Sequence, residues 1–349
     1  APTFISSMQN SYPELNEASD LIISTLNMEE ERFKDTLKNG IKYLKEEIDH
    51  LSKGSILDGS KAFKLYDTYG FPLDLTADIL KEKDLQLDNE GFNVAMQEQK
   101  TRAKANWSGS GEIGISSLWY DVYDKFGSTE FIRKENNNFI GKIQAIIVDD
   151  KLVEFANVGQ KAIIITDQTP FYAESGGQIG DKGSINNNKI YDTKLFTGKI
   201  HGHYVDLSEK LNIGDEVQLA VNYQLRNKIK ANHSATHLLH FALRNNLGKH
   251  VVQKGSLVND EKLRFDFTHN KGVTKEELAE VERLVNTTII LNKKIETNLM
   301  SINAAKKSGA MALFGEKYAD EVRVISMGNS IELCGGTHVN YTGDIGLFA

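Results

Sequence analysis

The spacing of the apolar residues changes twice along the chain, and this limits the folds that the sequence can adopt. Up to about residue 108 the apolar residues recur at helical spacing. This pattern predicts helices at Glu14–Asn27, Met28–Leu51, Lys61–Tyr69, Leu75–Lys83 and Glu90–Asn106. A Ser-Gly-Ser-Gly stretch at 108–111 follows, and we place the first domain boundary there.

Short β-type runs separated by turns follow the boundary. They predict strands at Lys142–Val148, Leu152–Phe155, Lys161–Thr166 and Glu216–Val221. Strands this short and this regularly separated are typical of a small barrel.

Helical and β-type patterns are mixed after residue 222. We expect one helix over Tyr223–Asn246, and a second one opened by the capping-box residues Thr274 and Glu277 and running to about Asn292. Strands are expected at Leu263–Phe267, Ile295–Met300, Val322–Ser326 and Ile331–Leu333. The sequence therefore predicts a multidomain α+β protein: a helical region at 1–108, a small β-barrel at 109–221 and an α+β domain at 222–349.

The composition excludes several classes of protein. No apolar run is long enough to cross a bilayer, and the N-terminal residues do not have the pattern of an export signal. The single cysteine, Cys334, cannot form an internal disulfide, which is typical of a reducing compartment. We therefore expect a cytoplasmic protein without a membrane partner.

Charge is distributed unevenly. The formal net charge is −7, yet the segment 217–259 contains no Asp or Glu. Such a segment could attract an anionic partner such as a nucleic acid backbone, or it could be a solvated helix face that happens to lack acids. Its basic residues are Arg226, Lys228, Lys230, Arg244, Lys249 and Lys254.

Two histidines, His233 and His237, lie four residues apart in a predicted helix, so that both imidazoles emerge from one face. Two ring nitrogens can then converge on one metal ion. A surface or capping pair is the alternative, and a metalloprotease is not expected because Ser234 replaces the Glu of that motif. His240 lies about 10 Å along the helix from His233, too far to share the same ion, and is expected to be a neighbour of the ligands or a group that supports them.

The segment Cys334-Gly-Gly-Thr-His338 adds a thiolate and an imidazole after a predicted strand. We expect its two glycines to let the backbone fold tightly enough for both groups to face one point. Three histidines and one cysteine suit the tetrahedral preference of zinc, which predicts one Zn²⁺ per chain. His201 and His203 alternate on a predicted strand without a visible partner ligand, and no metal is expected there.

A glycine-rich loop occupies 171–181 and includes Gly176, Gly177 and Gln178. It lacks the Gly-Lys-Ser/Thr ending of a phosphate-binding P-loop. The loop could approach a ligand or another backbone closely, or it could be the tip of an ordinary β-hairpin.

Together these motifs resemble the alanyl-tRNA synthetase family of class II. Asn232–His240 and Cys334–Val339 resemble the zinc motifs of its editing domain, while Val252–Val258 and Leu263–Phe267 are similar to the stretch between them. The glycine-rich loop is similar to the family's barrel, and Leu65–Pro72 to its helical tRNA-recognition region.

The resemblance implies an enzyme piece that binds tRNA(Ala), rather than DNA, and hydrolyses tRNA(Ala) mischarged with serine or glycine. It assigns Thr236, Gln253 and Ser256 to the editing pocket, and places Gly176, Gly177 and Gln178 at its border. The segment 217–259, which lacks Asp and Glu and is called the acid-free segment below, would receive the acceptor end of the tRNA. ATP and Mg²⁺ are expected only in an aminoacylation domain whose motifs we do not find in these residues, so this piece should not itself attach alanine.

Two other functions remain open at this point. One is a structural zinc site in an RNA-binding module without catalysis, and the other is a free-standing aminoacyl-tRNA editing hydrolase. The long helical N-terminal segment argues against the latter. The sequence also leaves open whether zinc would activate water or only position the substrate.

Overall fold

The computed structural model describes residues 1–17, 19–106, 117–133, 139–311 and 320–349. The chain divides into two compact units, Ala1–Glu112 and Ile113–Ala349. The domain boundary predicted at 108–111 lies outside the described residues. Within the described ranges, no helix combines the length and the apolar character that crossing a membrane requires.

The first unit is helical, with one pair of very short strands. Its elements are α1 (Pro2–Met8), α2 (Glu14–Glu17), α3 (Ser19–Ile48), β1 (Ile56–Leu57), α4 (Gly59–Tyr69), α5 (Leu73–Glu82), β2 (Gln86–Leu87) and α6 (Asn89–Asn106). The helices predicted around α4, α5 and α6 are confirmed. The break predicted at Met28 is wrong, because α3 continues through this position and neither glycine nor proline occurs near it.

Helix α3 packs on the rest of this unit through its C-terminal half. Leu44 and Ile48 join a buried apolar cluster with Leu65 and Phe71. Gly40 permits this packing, since a Cβ there would lie only 2.2 Å from the Phe71 ring. The turn at Gly70 adopts a left-handed conformation (φ 66°) that ends α4 and redirects the chain.

The second unit begins with a helix and a β-barrel. The elements are α7 (Ser117–Phe126), β3 (Glu130–Phe131), β4 (Phe139–Val148), β5 (Lys151–Val153), β6 (Phe155–Ala156), β7 (Lys161–Thr166), β8 (Gln168–Thr169), β9 (Gly183–Ile185), β10 (Asn188–Phe196), β11 (Ile200–Asp206), β12 (Leu211–Asn212) and β13 (Glu216–Val221). All four strand segments predicted from the sequence are found, although Leu152–Phe155 is divided between β5 and β6.

Six strands close the barrel in the order β13-β9-β10-β11-β7-β4, because β4 also pairs with β13. The closing register places Glu216 opposite Lys142 and Leu219 opposite Phe139. Closure leaves these strands without free edges, and Ile146, Ile164 and Val205 belong to one of its buried apolar clusters.

Helix α7 was not predicted from the sequence. It covers one side of the barrel, where Trp119 and Val122 pack with Ala145, Ile147 and Phe196. The Trp119 and Phe196 rings are stacked with centroids 3.5 Å apart. Because β4 therefore has apolar neighbours on both faces, its sequence Ile-Gln-Ala-Ile-Ile-Val lacks simple alternation.

The remaining residues form an α+β region within the same unit. Its elements are α8 (Tyr223–Leu247), β14 (Gln253–Val258), β15 (Leu263–Phe267), α9 (Lys275–Ile290), β16 (Glu296–Ser301), α10 (Ile302–Lys307), β17 (Glu321–Met327), β18 (Ser330–Leu333) and a 3₁₀ turn (Thr342–Ile345). Strands β16, β17 and β18 form an antiparallel sheet in that order. The capping box predicted at Thr274 and Glu277 is confirmed.

The two faces of β17 meet different partners. Ile325 and Met327 pack with α8 and α9, in a cluster that includes Leu238 and Val285. Val322 and Val324 belong to a second cluster with Ala305 of α10. The sheet is therefore covered on both faces, and its edge strand β18 leads directly into the Cys334–His338 segment.

A buried ion pair joins α8 to the barrel. The Arg226 guanidinium contacts the Asp181 carboxylate, and the same Nη2 donates to the Pro170 carbonyl at 2.6 Å. Asp181 also accepts from the Tyr172 amide at 2.6 Å. Arg226 is 4% exposed and Asp181 1% exposed, so neither charge is solvated by bulk water.

Replacing Arg226 should destabilise the second unit strongly. We expect Arg226→Met to lower the free energy of unfolding by about 3–5 kcal/mol, because Asp181 would remain buried without its partner. Lys228, two residues away on the same helix, is exposed, and Lys228→Met should change it by less than about 0.5 kcal/mol. Denaturant unfolding followed by circular dichroism measures both. Similar stability of the two variants would show that the ion pair does not hold α8.

Candidate functional site

Helix α8 presents four chemically active side chains along one face. His233, Thr236, His237 and His240 stand at positions i, i+3, i+4 and i+7, and all four are buried. The helix begins at the side-chain cap Asn222 and ends at Gly248, and no glycine or proline interrupts it. Its continuity sets the spacing between the two imidazoles of His233 and His237.

The segment after β18 brings Cys334 and His338 to this face. Cys334 Sγ lies 3.5 Å from His233 Nε2 and 3.3 Å from His338 Nε2. One donor atom from each of His233, His237, Cys334 and His338 lies within 4.8 Å of every other. The two residue pairs are about a hundred positions apart in sequence, and the packing of α8 on the sheet makes them one cluster.

Gln178 fixes one of these histidines from the barrel. Its Oε1 accepts from the Thr337 amide at 3.0 Å and lies 2.7 Å from His233 Nδ1, while its Nε2 donates to Thr337 Oγ1 at 2.8 Å. A backbone N–H can only donate, so the oxygen of the amide must face Thr337 N and His233. His233 therefore carries its proton on Nδ1, which leaves a lone pair on Nε2 in the neutral ring.

Glu332 holds the ring of His237 through its Nδ1 atom. Its Oε2 lies 2.8 Å from His237 Nδ1, and its Oε1 lies 3.2 Å from His240 Nδ1. Burial would raise the pKa of Glu332, but the neighbouring imidazoles of His237 and His240 outweigh it and hold the pKa at about 2. The carboxylate is thus charged. His240, expected from the sequence to be a neighbour of the ligands or a group that supports them, shares this carboxylate with His237.

Glycine is required at one of the two positions inside the Cys334–His338 segment. A Cβ at Gly336 would lie 2.1 Å from the His233 ring, whereas a Cβ at Gly335 would meet nothing within 4 Å. The sequence-based expectation that both glycines serve a tight fold of the backbone is therefore corrected. Only Gly336 is constrained, and the constraint is its close contact with His233.

The electrostatics of the cluster favour a thiolate. Burial opposes ionisation of Cys334, but His233, His338 and His237 outweigh it and hold the thiol pKa well below its usual value. The pKa of His338 is lowered to about 3, chiefly by burial, so this ring is neutral. Burial would lower the pKa of His237, but the charges of Glu332 and Cys334 outweigh it and raise this pKa to about 10, so the ring carries a proton that a bound metal ion would displace.

His237 Nε2 is buried and has no hydrogen-bond partner among the described residues. It lies within 4.8 Å of the metal-ligating atoms of His233, Cys334 and His338. A buried polar nitrogen without a hydrogen-bond partner destabilises the fold unless a ligand binds it. The arrangement can therefore hold a metal ion through one sulfur and three ring nitrogens.

A cavity of about 540 Å³ opens beside the cluster. His233, His237, Cys334 and Glu332 contribute to its wall, together with the sequence-predicted pocket residues Thr236, Gln253 and Ser256. Thr236 Oγ1 donates to the Asn232 carbonyl at 2.8 Å, so its oxygen still has a lone pair to offer. Gln253 and Ser256 lie on β14, a strand that the sequence analysis did not predict.

The glycine-rich loop forms a tight hairpin at the cavity wall. Gly176 and Gly177 have φ of 59° and 82°, and the flanking residues Ser175 and Gln178 pair across the turn. Gly177 lies against β14, where a Cβ would be 2.4 Å from the Ser256 carbonyl oxygen. The barrel thereby contributes Gly176 and Gly177 to the cavity and Gln178 to the cluster.

The basic residues of the segment 217–259 differ in their burial. Arg226 and Lys230 are buried, Arg244 donates to the Val251 carbonyl at 2.6 Å, and Lys228, Lys249 and Lys254 are exposed. His201 and His203 are buried in the barrel. His203 has hydrogen-bond partners on both ring nitrogens, while His201 Nδ1 lies 3.0 Å from the Phe171 carbonyl.

Sequence reasoning missed Glu332 and Arg323. Glu332 stands two residues before Cys334 on a predicted strand, and this spacing could have indicated that both side chains share a face. Arg323 Nη1 donates to the carbonyls of Cys334 and Gly336 at 2.8 and 2.9 Å, which holds the segment in place. No local sequence signal indicates that contact.

Comparison with known proteins gives two family matches. Residues 1–225 match the family described as tRNA synthetases class II (A), and residues 322–349 match the threonyl and alanyl tRNA synthetase second additional domain. The second match includes Cys334, His338 and most of β17.

Individual relatives match along nearly the whole chain. Alanine–tRNA ligase of Caulobacter vibrioides is 47% identical over 361 aligned positions, and that of Parvibaculum lavamentivorans is 48% identical over 362. The alignments cover 100% and 99% of this chain but 41% of each relative, so the chain spans well under half of their length. With a class II family match over 225 of its 349 residues, the chain belongs to the alanyl-tRNA synthetase family.

Proposed function

We propose that this chain is the part of an alanine–tRNA ligase that binds tRNA(Ala) and removes wrongly attached serine or glycine by hydrolysing the aminoacyl ester. The observation that carries the proposal is the convergence of His233, His237, Cys334 and His338 at the wall of a 540 Å³ cavity. The matches to alanine–tRNA ligases and to the additional domain of threonyl and alanyl enzymes support it.

Zinc is the metal that fits these donors best. Zn–S bonds of about 2.3 Å and Zn–N bonds of about 2.0–2.1 Å at tetrahedral angles require sulfur and nitrogen to be about 3.5 Å apart. The Cys334 sulfur lies 3.5 and 3.3 Å from the Nε2 atoms of His233 and His338. Gln178 and Glu332 hold the opposite nitrogens of two rings, which is the usual support of zinc-binding histidines.

Such an activity answers a problem of selectivity. A site built for alanine cannot strongly reject glycine, which is smaller, and rejects serine poorly because serine adds only a hydroxyl. A separate hydrolytic site removes the wrong products.

The reaction is the hydrolysis of an ester. Water adds to the ester carbonyl carbon, the bond from that carbon to the ribose oxygen breaks, and the ribose hydroxyl receives the proton while the amino acid leaves. A bound Zn²⁺ would supply a Lewis acid for the carbonyl or an anchor for the serine hydroxyl. Thr236, Gln253 and Ser256 offer hydroxyl and amide groups that can orient the ester and the attacking water.

A structural zinc site in an RNA-binding module is the second candidate. The observation in its favour is that four side-chain donors converge, and together they would complete a tetrahedral shell, as is typical of structural sites. A structural site would bind zinc without hydrolysing the ester, so zinc binding and hydrolysis distinguish the two candidates.

The chain should hydrolyse seryl-tRNA(Ala) under single-turnover conditions with protein in excess, which compensates for weak tRNA capture. We expect a rate well above spontaneous hydrolysis, and slower hydrolysis of alanyl-tRNA(Ala). Cys334→Ala should lower the rate at least about tenfold because the metal loses a ligand. A folded wild-type chain with zinc bound that only matches the spontaneous rate would leave the structural role as the function.

One zinc ion per chain is expected in protein purified without chelators, measured by elemental analysis. His237→Gln should reduce this content strongly, since it removes one of four donors. His269→Gln is the control, because His269 lies in the same unit and contacts His250 rather than the cluster. Equal zinc content in the two variants would exclude the proposed ligand set.

Removing the charge of Glu332 should weaken zinc binding without removing a ligand. We expect Glu332→Gln to lower zinc affinity about 10- to 100-fold in chelator competition, because the amide no longer fixes the His237 ring as a charged acceptor does. Glu321→Gln is the matched control: Glu321 lines the same cavity but is exposed, and it makes no contact with the histidines in the described structure. Affinities that differ less than about threefold would remove Glu332 from the site.

A further inference from the structure

A second, smaller cavity of about 180 Å³ lies against the same Cys334–His338 segment. Gly336 and Arg323 belong to the walls of both cavities. A ligand group in the smaller cavity would thus be separated from the larger one by little more than one backbone segment and one side chain.

The smaller cavity is strongly cationic. Arg133, Arg226, Lys230 and Arg323 line it, and no carboxylate occurs among the described residues of its wall. Asp181 compensates Arg226 from outside the wall. The remaining polar groups, Thr297 and Asn340, are neutral and can donate hydrogen bonds.

Two of the guanidinium groups are held in position by the protein backbone. Arg133 donates from Nη2 to the Gly335 carbonyl at 3.1 Å and lies 4.8 Å from the centroid of the Phe131 ring. Arg323 donates to the carbonyls of Cys334 and Gly336. Each of these bonds uses one edge of a five-donor group, so further N–H groups remain for a ligand.

Some of the hydrogen-bond donors around this cavity are unused among the described residues. The Nε atoms of Arg226 and Arg323 are buried and have no hydrogen-bond partner in the described part of the chain. Arg133 is exposed and Arg323 half-buried, and both keep N–H groups that an anion in the cavity could accept from.

We propose that the smaller cavity binds one phosphate group of the tRNA backbone, next to the nucleotide whose ester enters the larger cavity. This inference rests on the proposed function. Guanidinium groups match the geometry of phosphate oxygens, and a neighbouring phosphate would fix the register of the acceptor strand at the metal cluster.

The anion site can be tested apart from RNA. We expect inorganic phosphate to bind the zinc-loaded full chain, followed by ³¹P line broadening. Arg133→Gln should weaken this binding about tenfold, since a hydrogen-bonded charge is lost. Arg283→Gln, which removes an exposed arginine of α9, should leave it unchanged. No phosphate binding, or equal binding by the two variants, would overturn the proposal.

The RNA assignment is tested with an acceptor-stem minihelix in which single linkages near the 3′ end are neutral methylphosphonates. In wild type, one linkage should reduce affinity about tenfold, and Arg133→Gln should abolish the effect of that linkage alone. Arg133→Gln should also lower the slope of log affinity against log salt by about 0.7. Arg133→Lys keeps the charge and should retain the slope while losing part of the affinity.

The outcomes separate this inference from the proposed function. Phosphate binding that depends on Arg133, without coupling to any linkage, would overturn the RNA assignment. Coupling to one linkage in a chain that does not hydrolyse seryl-tRNA(Ala) would support the phosphate site and reject the deacylase. Thermal melting of each variant confirms that affinity is compared between folded proteins.

Discussion

The candidate site depends on one buried amide. Gln178 is fully buried, and its side chain contacts His233 on helix α8 and Thr337 in the segment between Cys334 and His338. The turn that presents it is possible because Gly176 and Gly177 both adopt positive φ. The barrel thereby fixes the tautomer of a ring on a helix that begins more than forty residues later. A shift of the hairpin would release His233 and the Cys334–His338 segment together.

Local patterns in the sequence predicted much of this arrangement. The four-residue spacing of His233 and His237 and the Cys334–His338 motif give the donor set directly, because helix geometry and a turn after a strand are local properties. The capping box at Thr274 and the barrel strands were found for the same reason. Helix α7 was missed, although Leu118, Trp119, Val122 and Phe126 have helical spacing, because the segment lay in a region otherwise rich in strands.

What the sequence did not predict is long-range pairing. Glu332 meets His237 across 95 positions, and Arg323 acts through backbone carbonyls that no side-chain pattern reveals. Some basic residues of the acid-free segment are buried and others are exposed, and the charge pattern of the sequence does not distinguish them. Arg226 is used to hold α8 on the barrel, whereas Lys228, two residues later, is exposed. The net charge of a segment indicates its electrostatic potential, but the packing of the fold determines which charged side chains stay exposed to a ligand.

The number of donors bears on how hydrolysis can occur. A tetrahedral shell filled by four side chains leaves no position for water unless the shell expands. In the proposed site the attacking water must then be oriented largely by the protein, and the cavity supplies groups for this: Thr236 on α8, and Gln253 and Ser256 on β14. Strand β14 in turn is held against the hairpin through the Gly177 carbonyl, which accepts from Val258 at 2.7 Å. The hairpin that contacts His233 therefore also holds the strand that would orient the water, so binding of the proposed metal and the geometry of the proposed reaction would be coupled.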